Sequence, residues 1–562
     1  MHNPLKWSAE LLSSLYEQGA EFIIISPGSR STPLTLAAAF HPHFKKKIVL
    51  DERSAAFMAL GIGKATGKPA ILICTSGTAL ANYFPAIVEA KESATPLIIL
   101  SADRPPMQRE TGSSQTISQL KIFGDYAVFF HEAGEPNLQL RDLARIKYAA
   151  KQAFDFSISK GGASQINLPF RKPLEPDSQQ VSEIKEIYQN SISALSDNDF
   201  NTVHPGKNVL QLIENSLRPL LICGPANRSH QLQGHVEKLA EKLKAPVLSE
   251  PGSGTESLKN MIHRYDQFLR KKSTLKELSP DLIIRFGGQP YTQSLLMASE
   301  AWKNIPVIHI TPRQDTQDHA LSVTHTINLQ KSDQIDLIQI TKKTDARWLN
   351  LWFDYDKQAT SFLLKSLDEP KTLTDGHVFS HFANLLGKDW NVMLSNSFPV
   401  RDMALFGESM GRQFVNRGAA GIDGITSTAL GIHWCTDKPT CCITGDLAFI
   451  HDSNALLSIK QSNQPFLIVV INNGGGTIFR MLPVYQSESS VLGDEHFTRY
   501  FETPQHMSIK YLAMAAEIDY FNISLLDELH SFKREHLNKS AIVECITNAR
   551  DSMELRQKLW DF

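Results

Sequence analysis

Two short polar stretches, Gly445-Asp446 and Asn472-Asn473-Gly474-Gly475-Gly476, carry residue types that could do chemistry at one place. A carboxylate (Asp446), an amide oxygen (Asn473) and a carbonyl freed in a glycine turn (Gly475) make a partial set of hard oxygen ligands. Such a set suits Mg²⁺, which keeps its remaining positions for water or ligand phosphates. Asp446 and Asn473 stand 27 positions apart, so something must bring them together. The β-branched run 440–444 leads into Gly445, a helical pattern follows, and the run 466–471 leads into Asn472. Strand, turn, helix, strand, turn is a βαβ unit, and both turns then fall at the same carboxyl end of a sheet. The expectation is a site for a diphosphate held through a divalent metal. Either half alone reads as a helix N-cap or an ordinary loop; the two halves at this spacing carry the reading.

Length and composition bound what surrounds that site. At 562 residues the chain exceeds a single core, so several domains are expected. Apolar content of 42% and charged content of 21% are those of a soluble globular protein. A net charge of −2 creates no field for polyanions, which argues against nucleic acid as a partner. Cys74, Cys223, Cys435, Cys441, Cys442 and Cys545 show no metal spacing, and most lie in apolar runs where a buried thiol is the default. The start of the chain has no signal-peptide pattern and no apolar run is long enough to span a bilayer. A cytoplasmic, non-membrane protein is expected.

The same strand–turn–helix grammar recurs along the chain, which predicts an α/β fold with open parallel sheets. An amphipathic helix over 8–17 precedes the strand 22–26, which ends in Pro27-Gly28-Ser29-Arg30-Ser31. That turn is either an anion site, with N–H groups and Arg30 facing the ligand, or a plain N-cap with a solvated arginine. The strand 48–50 runs into Asp51-Glu52 and a small-residue helix, where Glu52 taken alone is a capping carboxylate. Two further strands end in Thr75-Ser76-Gly77-Thr78 and in Ala102-Asp103-Arg104, with Thr111 to Gln115 beyond. Residues 175–208 read as a polar linker, and a second α/β region begins at Pro219. Its loop 249–256 lacks the GK[ST] ending of a P-loop. A charged helical stretch, 331–371, leads to a third region with Ser395-Asn396-Ser397, Arg401, Asn416-Arg417-Gly418 and Gly421-Ile422. The first and third regions share this grammar without a visible sequence repeat.

The GD…NN pattern resembles the signature of thiamine-diphosphate (ThDP) enzymes. Those of the pyruvate-oxidase architecture carry a pyrimidine-binding domain, a central α/β domain and a diphosphate-binding domain in that order. The resemblance places them here at 1–175, 205–345 and 355–562. It implies that Glu52 hydrogen-bonds N1′ of the aminopyrimidine and so promotes loss of the thiazolium C2 proton. It also implies a cofactor bridging two subunits, hence a homodimer at least and a homotetramer in many relatives.

SPGSRSTPLTLA, SADRPP, NSFPVRD, NRGAAGIDG, GDLAFIHDSNALL and NNGGGTIF together resemble the MenD family more closely. Its members are 2-succinyl-5-enolpyruvyl-6-hydroxy-3-cyclohexene-1-carboxylate (SEPHCHC) synthases of menaquinone biosynthesis. This likeness implies decarboxylation of 2-oxoglutarate and Stetter-like 1,4-addition to isochorismate. For such dicarboxylates it offers Ser29, Arg30, Arg104, Gln115, Ser397, Arg401 and Arg417. For ThDP it offers Glu52, Gly77, Ile422, Asp446, Leu447, Ala448, Asn473, Gly475, Thr477, Ile478 and Phe479, with Mg²⁺ or Mn²⁺ on Asp446, Asn473 and Gly475. Two departures stand out. A basic pair of some members is replaced by Thr292-Gln293-Ser294, leaving Arg285 or Arg313 as substitutes, and Ser114 stands where an Asn often precedes Gln115. The alternatives are a ThDP carboligase of the acetolactate synthase type and a non-catalytic ThDP-binding relative.

Overall fold

The computed structural model describes residues 3–189, 202–203, 205–226, 232–255, 257–312, 317–329, 334–335, 346–408, 410–459, 464–486 and 493–562. Its frame is three parallel sheets. The first holds β1 (Phe22–Ile25), β2 (Lys45–Ile48), β3 (Ala70–Cys74), β4 (Leu97–Asp103), β5 (Ala127–Glu132) and β6 (Ala163–Pro169), in the order β2-β1-β3-β4-β6-β5. Strands β1, β3, β4 and β6 are buried along their whole length. That is why β1, β3 and the first four residues of β4 read as unbroken apolar runs, whereas β6 buries Ser164, Gln165 and Asn167 among its apolar residues. β2 lies at the sheet edge and is built of lysines, as a managed edge strand is. It sits earlier than the run 48–50 suggests, because Ile48 and Leu50 are exposed while Lys45–Ile48 pairs with β1.

The central sheet joins β8 (Pro219–Cys223), β9 (Val247–Ser249), β10 (Leu282–Phe286), β11 (Val307–Thr311) and β12 (Val323–Asn328), while β7 (Thr202–Val203) pairs with β13 (Gln334–Ile335). The third sheet holds β14 (Asn391–Leu394), β15 (Arg412–Val415), β16 (Thr440–Gly445), β17 (Phe466–Asn472), β18 (Asp519–Ile523) and β19 (Ala541–Ile546), in the order β15-β14-β16-β17-β19-β18. The stretch read as a linker contains the helix Ser178–Gln189, whose Ile184 and Tyr188 are buried in the first core. The Tyr188 hydroxyl donates to the Ala37 carbonyl at 2.7 Å, so that segment packs as structure rather than hanging as tether.

The first and third sheets are joined by two helices, Glu52–Thr66 and Ile425–Thr436, within one shared apolar core. Their backbones meet at glycines. A Cβ on Gly61 would lie 2.1 Å from the Thr428 carbonyl oxygen, and one on Gly431 would lie 2.0 Å from that of Met58. Only glycine permits this approach, so the small-residue run after Glu52 serves the packing of two domains.

Candidate functional site

Asp446 is the last step of β16 into a helix, and Asn473 follows β17, the neighbouring strand. The two asparagines divide their work. Asn472 donates to Glu544 on β19 at 2.6 Å, whereas Asn473 turns into the cavity in front of Asp446. Gly474 and Gly475 have φ of +84° and +114°, and a Cβ on Gly475 would strike the Glu502 carbonyl oxygen at 2.3 Å. The turn therefore requires glycine there. Burial pushes the Asp446 carboxyl above the ordinary carboxylate range, while N–H groups of Leu447 and Gly475 pull it back. The Leu447 bond measures 2.8 Å.

The cavity has a volume of about 260 Å³. Its lining combines the polar Asp446, Asn473 and Gly475 with the apolar Ile422, Ile478 and Phe479, and also includes Leu447, Ala448 and Thr477. Ile422 and Phe479 stay 37% and 39% exposed, so the cleft presents apolar surface. Oxygen donors and apolar side chains in one cavity fit a molecule with an anionic, metal-bound tail and an apolar ring. Among the described residues no group of three His, Cys, Asp or Glu could hold a metal. A cation here would depend on one carboxylate, an amide and a carbonyl.

Ser397 borders the same cavity with φ of +72°, a strained value for a residue with a Cβ. Its carbonyl accepts from Arg401 Nη1 at 2.6 Å. Burial and the nearby Arg417 both disfavour charge on Arg401, and this bond goes to a carbonyl rather than a carboxylate. Arg417 donates to Asn396 Oδ1 at 3.0 Å and lies 4.5 Å from the Tyr291 ring centroid. Neither arginine lines the Asp446 cavity; Arg417 borders a cleft against the central domain's Gly287-Gly288-Gln289 turn.

A second group forms at the carboxyl edge of the first sheet. Arg30 is buried, its amide donates to Thr75 Oγ1 at 3.2 Å and its Nη1 to the Phe170 carbonyl at 2.6 Å. Burial and Arg104 disfavour its charge. Gln115, with φ of +56°, donates to the Ser76 carbonyl at 2.9 Å and closes over Gly77, where a Cβ would meet its Cγ at 2.9 Å. Arg104 has a buried Nε without a partner, and Ser29 is exposed beside Arg30. Glu52 is half-buried at the first turn of its helix, but the cap is Asp51, which accepts from Arg53 N–H at 2.8 Å and Ser54 N–H at 3.4 Å. Glu52 is thereby released from the capping role that its position suggests.

The structure thus assembles two half-sets rather than one. Every residue lining the Asp446 cavity comes from 375–479, and Glu52 is not among them. Sequence reasoning missed several supports. Glu89 of the first domain accepts from Gly418 and Ala419 N–H at 3.1 and 2.7 Å, tying down the Arg417 turn. Asn396 Nδ2 spans that turn, donating to the Asn416 and Gly421 carbonyls at 2.7 and 2.6 Å. Of the substitutes for the basic pair, Arg285 is committed to Asp318 at 3.1 Å, and Arg313 lies outside the described residues, as does Glu256 of the glycine-rich loop. Nothing in the local sequence around Glu89 marks it, because its partners are distant.

Comparison with known proteins adds the following. The model of the thiamine pyrophosphate enzyme N-terminal TPP binding domain matches residues 6–122, and that of the C-terminal TPP binding domain matches 403–545. A 2-succinyl-5-enolpyruvyl-6-hydroxy-3-cyclohexene-1-carboxylate synthase of Listeria innocua is 32% identical, covering 98% of this chain and 96% of the relative. A protein of the same name from Roseiflexus sp. is 34% identical over 98% of this chain and 97% of its own length. One from Pelodictyon phaeoclathratiforme is 36% identical, with 92% and 88% covered.

Proposed function

The chain belongs to the SEPHCHC synthase family of thiamine pyrophosphate enzymes, and on that premise we propose that it joins 2-oxoglutarate to isochorismate with loss of CO₂ in menaquinone biosynthesis. The observation that carries this reading is the Asp446 cavity, whose lining joins oxygen donors to apolar side chains. Bound thiamine diphosphate would supply the electron sink for decarboxylation and carbon–carbon bond formation. Asp446, Asn473 and the Gly475 carbonyl would hold its diphosphate through Mg²⁺ or Mn²⁺. Leu447, Ala448 and Thr477 would line its tail, Ile422 would support its bent shape, and Ile478 and Phe479 would wall the ring and exclude water.

Glu52 would bind the aminopyrimidine N1′ and hold a proton there, with Gly77 letting backbone approach the ring. Because the Asp446 cavity is lined by the third domain alone, Glu52 would come from a second subunit, which supports a homodimer or homotetramer. The division would follow domains at 1–175, 205–345 and 355–562, with the first extended to take in the helix Ser178–Gln189 that packs in its core. Ser29, Arg30, Arg104, Gln115, Ser397, Arg401 and Arg417 would receive the substrate carboxylates. Buried guanidiniums bound to carbonyls gain most from such partners. Among the described residues no helix is long and apolar enough to cross a membrane, in keeping with work on soluble substrates in the cytoplasm.

The test is ultraviolet detection of isochorismate consumption with 2-oxoglutarate, ThDP and Mg²⁺. Loss of the isochorismate absorbance with stoichiometric CO₂ is expected. Persistence of isochorismate while pyruvate and a second 2-oxoacid condense would assign the chain to another carboligation.

A further inference from the structure

We propose that Asp375, locked by Arg556 and Thr547, is a positioning residue that aims the Asn473 amide oxygen at the metal. The inference rests on the reading of Asn473 as a metal ligand given above. None of these three residues stands near Asn473 in sequence. Asp375 opens the helix Asp375–Leu385, Thr547 follows β19, and Arg556 lies on the C-terminal helix Ala549–Trp560.

An asparagine amide has one donating and one accepting end, and a metal takes only the oxygen. Asn473 Nδ2 donates to Asp375 Oδ2 at 3.2 Å. An ionised carboxylate accepts and never donates, so the nitrogen end must face it and Oδ1 must face away. Asp375, Asp446 and Asn473 all line one cavity, so the bond to Asp375 sets which end of the amide is left to face it.

Asp375 is itself held from every side. Its Oδ1 accepts from the Thr547 hydroxyl at 2.5 Å, its Oδ2 also accepts from Arg556 Nη2, and its amide donates to Ser552 Oγ at 3.0 Å. Arg556 is fixed in turn by two bonds to Asp402, from Nε at 2.7 Å and from Nη2, and lies 3.8 Å from the Phe398 ring centroid. The side chains of Asp375, Asp402 and Arg556 are 1%, 1% and 2% exposed. One guanidinium bridges the two buried carboxylates, and removing any of the three would leave a buried group without its partner. The network therefore has one arrangement, and it hands that rigidity to Asn473. Supports of this kind orient ligands and tune affinity in metal sites generally.

The experiment uses the full chain with ThDP and reads Mn²⁺ binding by electron paramagnetic resonance, with thermal melting alongside. Asp375→Asn replaces an accept-only carboxylate with an amide that can turn either end to Asn473, and its Mn²⁺ dissociation constant should rise about 10–100-fold. Excess Mn²⁺ should restore turnover with the KM for both substrates unchanged. Thr547→Val, which deletes only the hydroxyl bond, should weaken Mn²⁺ a few-fold. A folded Asp375→Asn with wild-type Mn²⁺ affinity overturns the proposal, even if its melting temperature falls, because that is what a purely structural role predicts. If Asp375→Asn does not fold, Thr547→Val decides, and unchanged Mn²⁺ affinity in it overturns the proposal equally. Asp446→Ala separates the two levels: should it keep the Mn²⁺ signal, the assignment of the metal site fails, and this inference with it.

Discussion

The first and third domains share a strand order and differ in what they place at its carboxyl edge. Counted within each sheet, both run 2-1-3-4-6-5, with the order reversing between strands one and three. Ligands of open parallel sheets bind at that reversal. The positions correspond turn by turn. After strand one stands Arg30 or Ser397, after strand two Glu52 or Arg417, after strand three Gly77 or Asp446, after strand four Arg104 or Asn473. The scaffold is thus reused while the chemistry is not. The third domain sets an aspartate, an asparagine and glycines there, and the first a glutamate, two arginines and a glycine gap. The comparison teaches that topology fixes where a group can act and the turn residue fixes what it does there. On the proposed reading the two unlike edges would grip the two ends of one cofactor.

The sharpest way to break this comparison is to disable one edge at a time. Glu52→Gln should keep ThDP affinity yet lose exchange of the thiazolium C2 proton, followed by NMR, with turnover down about 10²–10⁴-fold. Asp446→Ala should do the reverse and lose cofactor and metal binding in titration calorimetry. Mixing the two variants should restore activity, because a heterodimer regains one site with Glu52 and Asp446 intact. No restoration would mean that both groups act within one chain. A smaller effect is expected at the arginines. Arg401→Ala should raise the KM for a dicarboxylate substrate about 10–100-fold, roughly 1.5–3 kcal/mol, with ThDP affinity unchanged. Equal loss of cofactor affinity would move Arg401 from substrate recognition to scaffold.

A last prediction, on stability rather than turnover, tests the central domain, which holds neither edge but braces one. Glu250 is fully buried and accepts from the amides of Tyr291 at 2.9 Å and Thr292 at 2.7 Å, beneath the ring that faces Arg417. Burial raises its pKa to about 7, against those hydrogen bonds, which lower it. A folded-state value above the unfolded one means stability present below about pH 4.5 and lost as pH rises through about 7. Glu250→Gln should remove that part of the slope, on the order of 3 kcal/mol, seen as a flatter dependence of melting temperature on pH between those limits. An unchanged difference between variant and wild type across this range would show that Glu250 does not titrate there.

Much of the fold was legible because its strands are buried on both faces. β3, β4, β16 and β17 are runs of Ile, Leu, Val and Cys ended by polar turns, and such runs admit few other readings. β2 was misread by several residues, since an edge strand of lysines has no apolar pattern to find. The helix at Ser178–Gln189 was taken for linker because its apolar stripe is thin. The candidate site residues were legible as turns that follow such strands. The supports beside them were not: Glu89 reaches across domains, Asn396 bonds turns 20 and 25 residues away, and Asp375 and Arg556 meet from distant parts of the chain.

What the amino-acid sequence determined by itself is the inventory of candidates: the oxygen-bearing Asp446, Asn473 and Gly475, the glutamate at 52, and the arginines set in turns. These depend on residue type beside a strand end, which is local information. The tertiary structure decided which of them share a space. It made Asp51 rather than Glu52 the helix cap, gave Asn472 and Asn473 different partners, and left the Asp446 cavity without Glu52. The reason is physical. A side chain's role follows from the acceptor, donor or charge it meets, and in a parallel sheet those neighbours come from other strands, other helices and other domains.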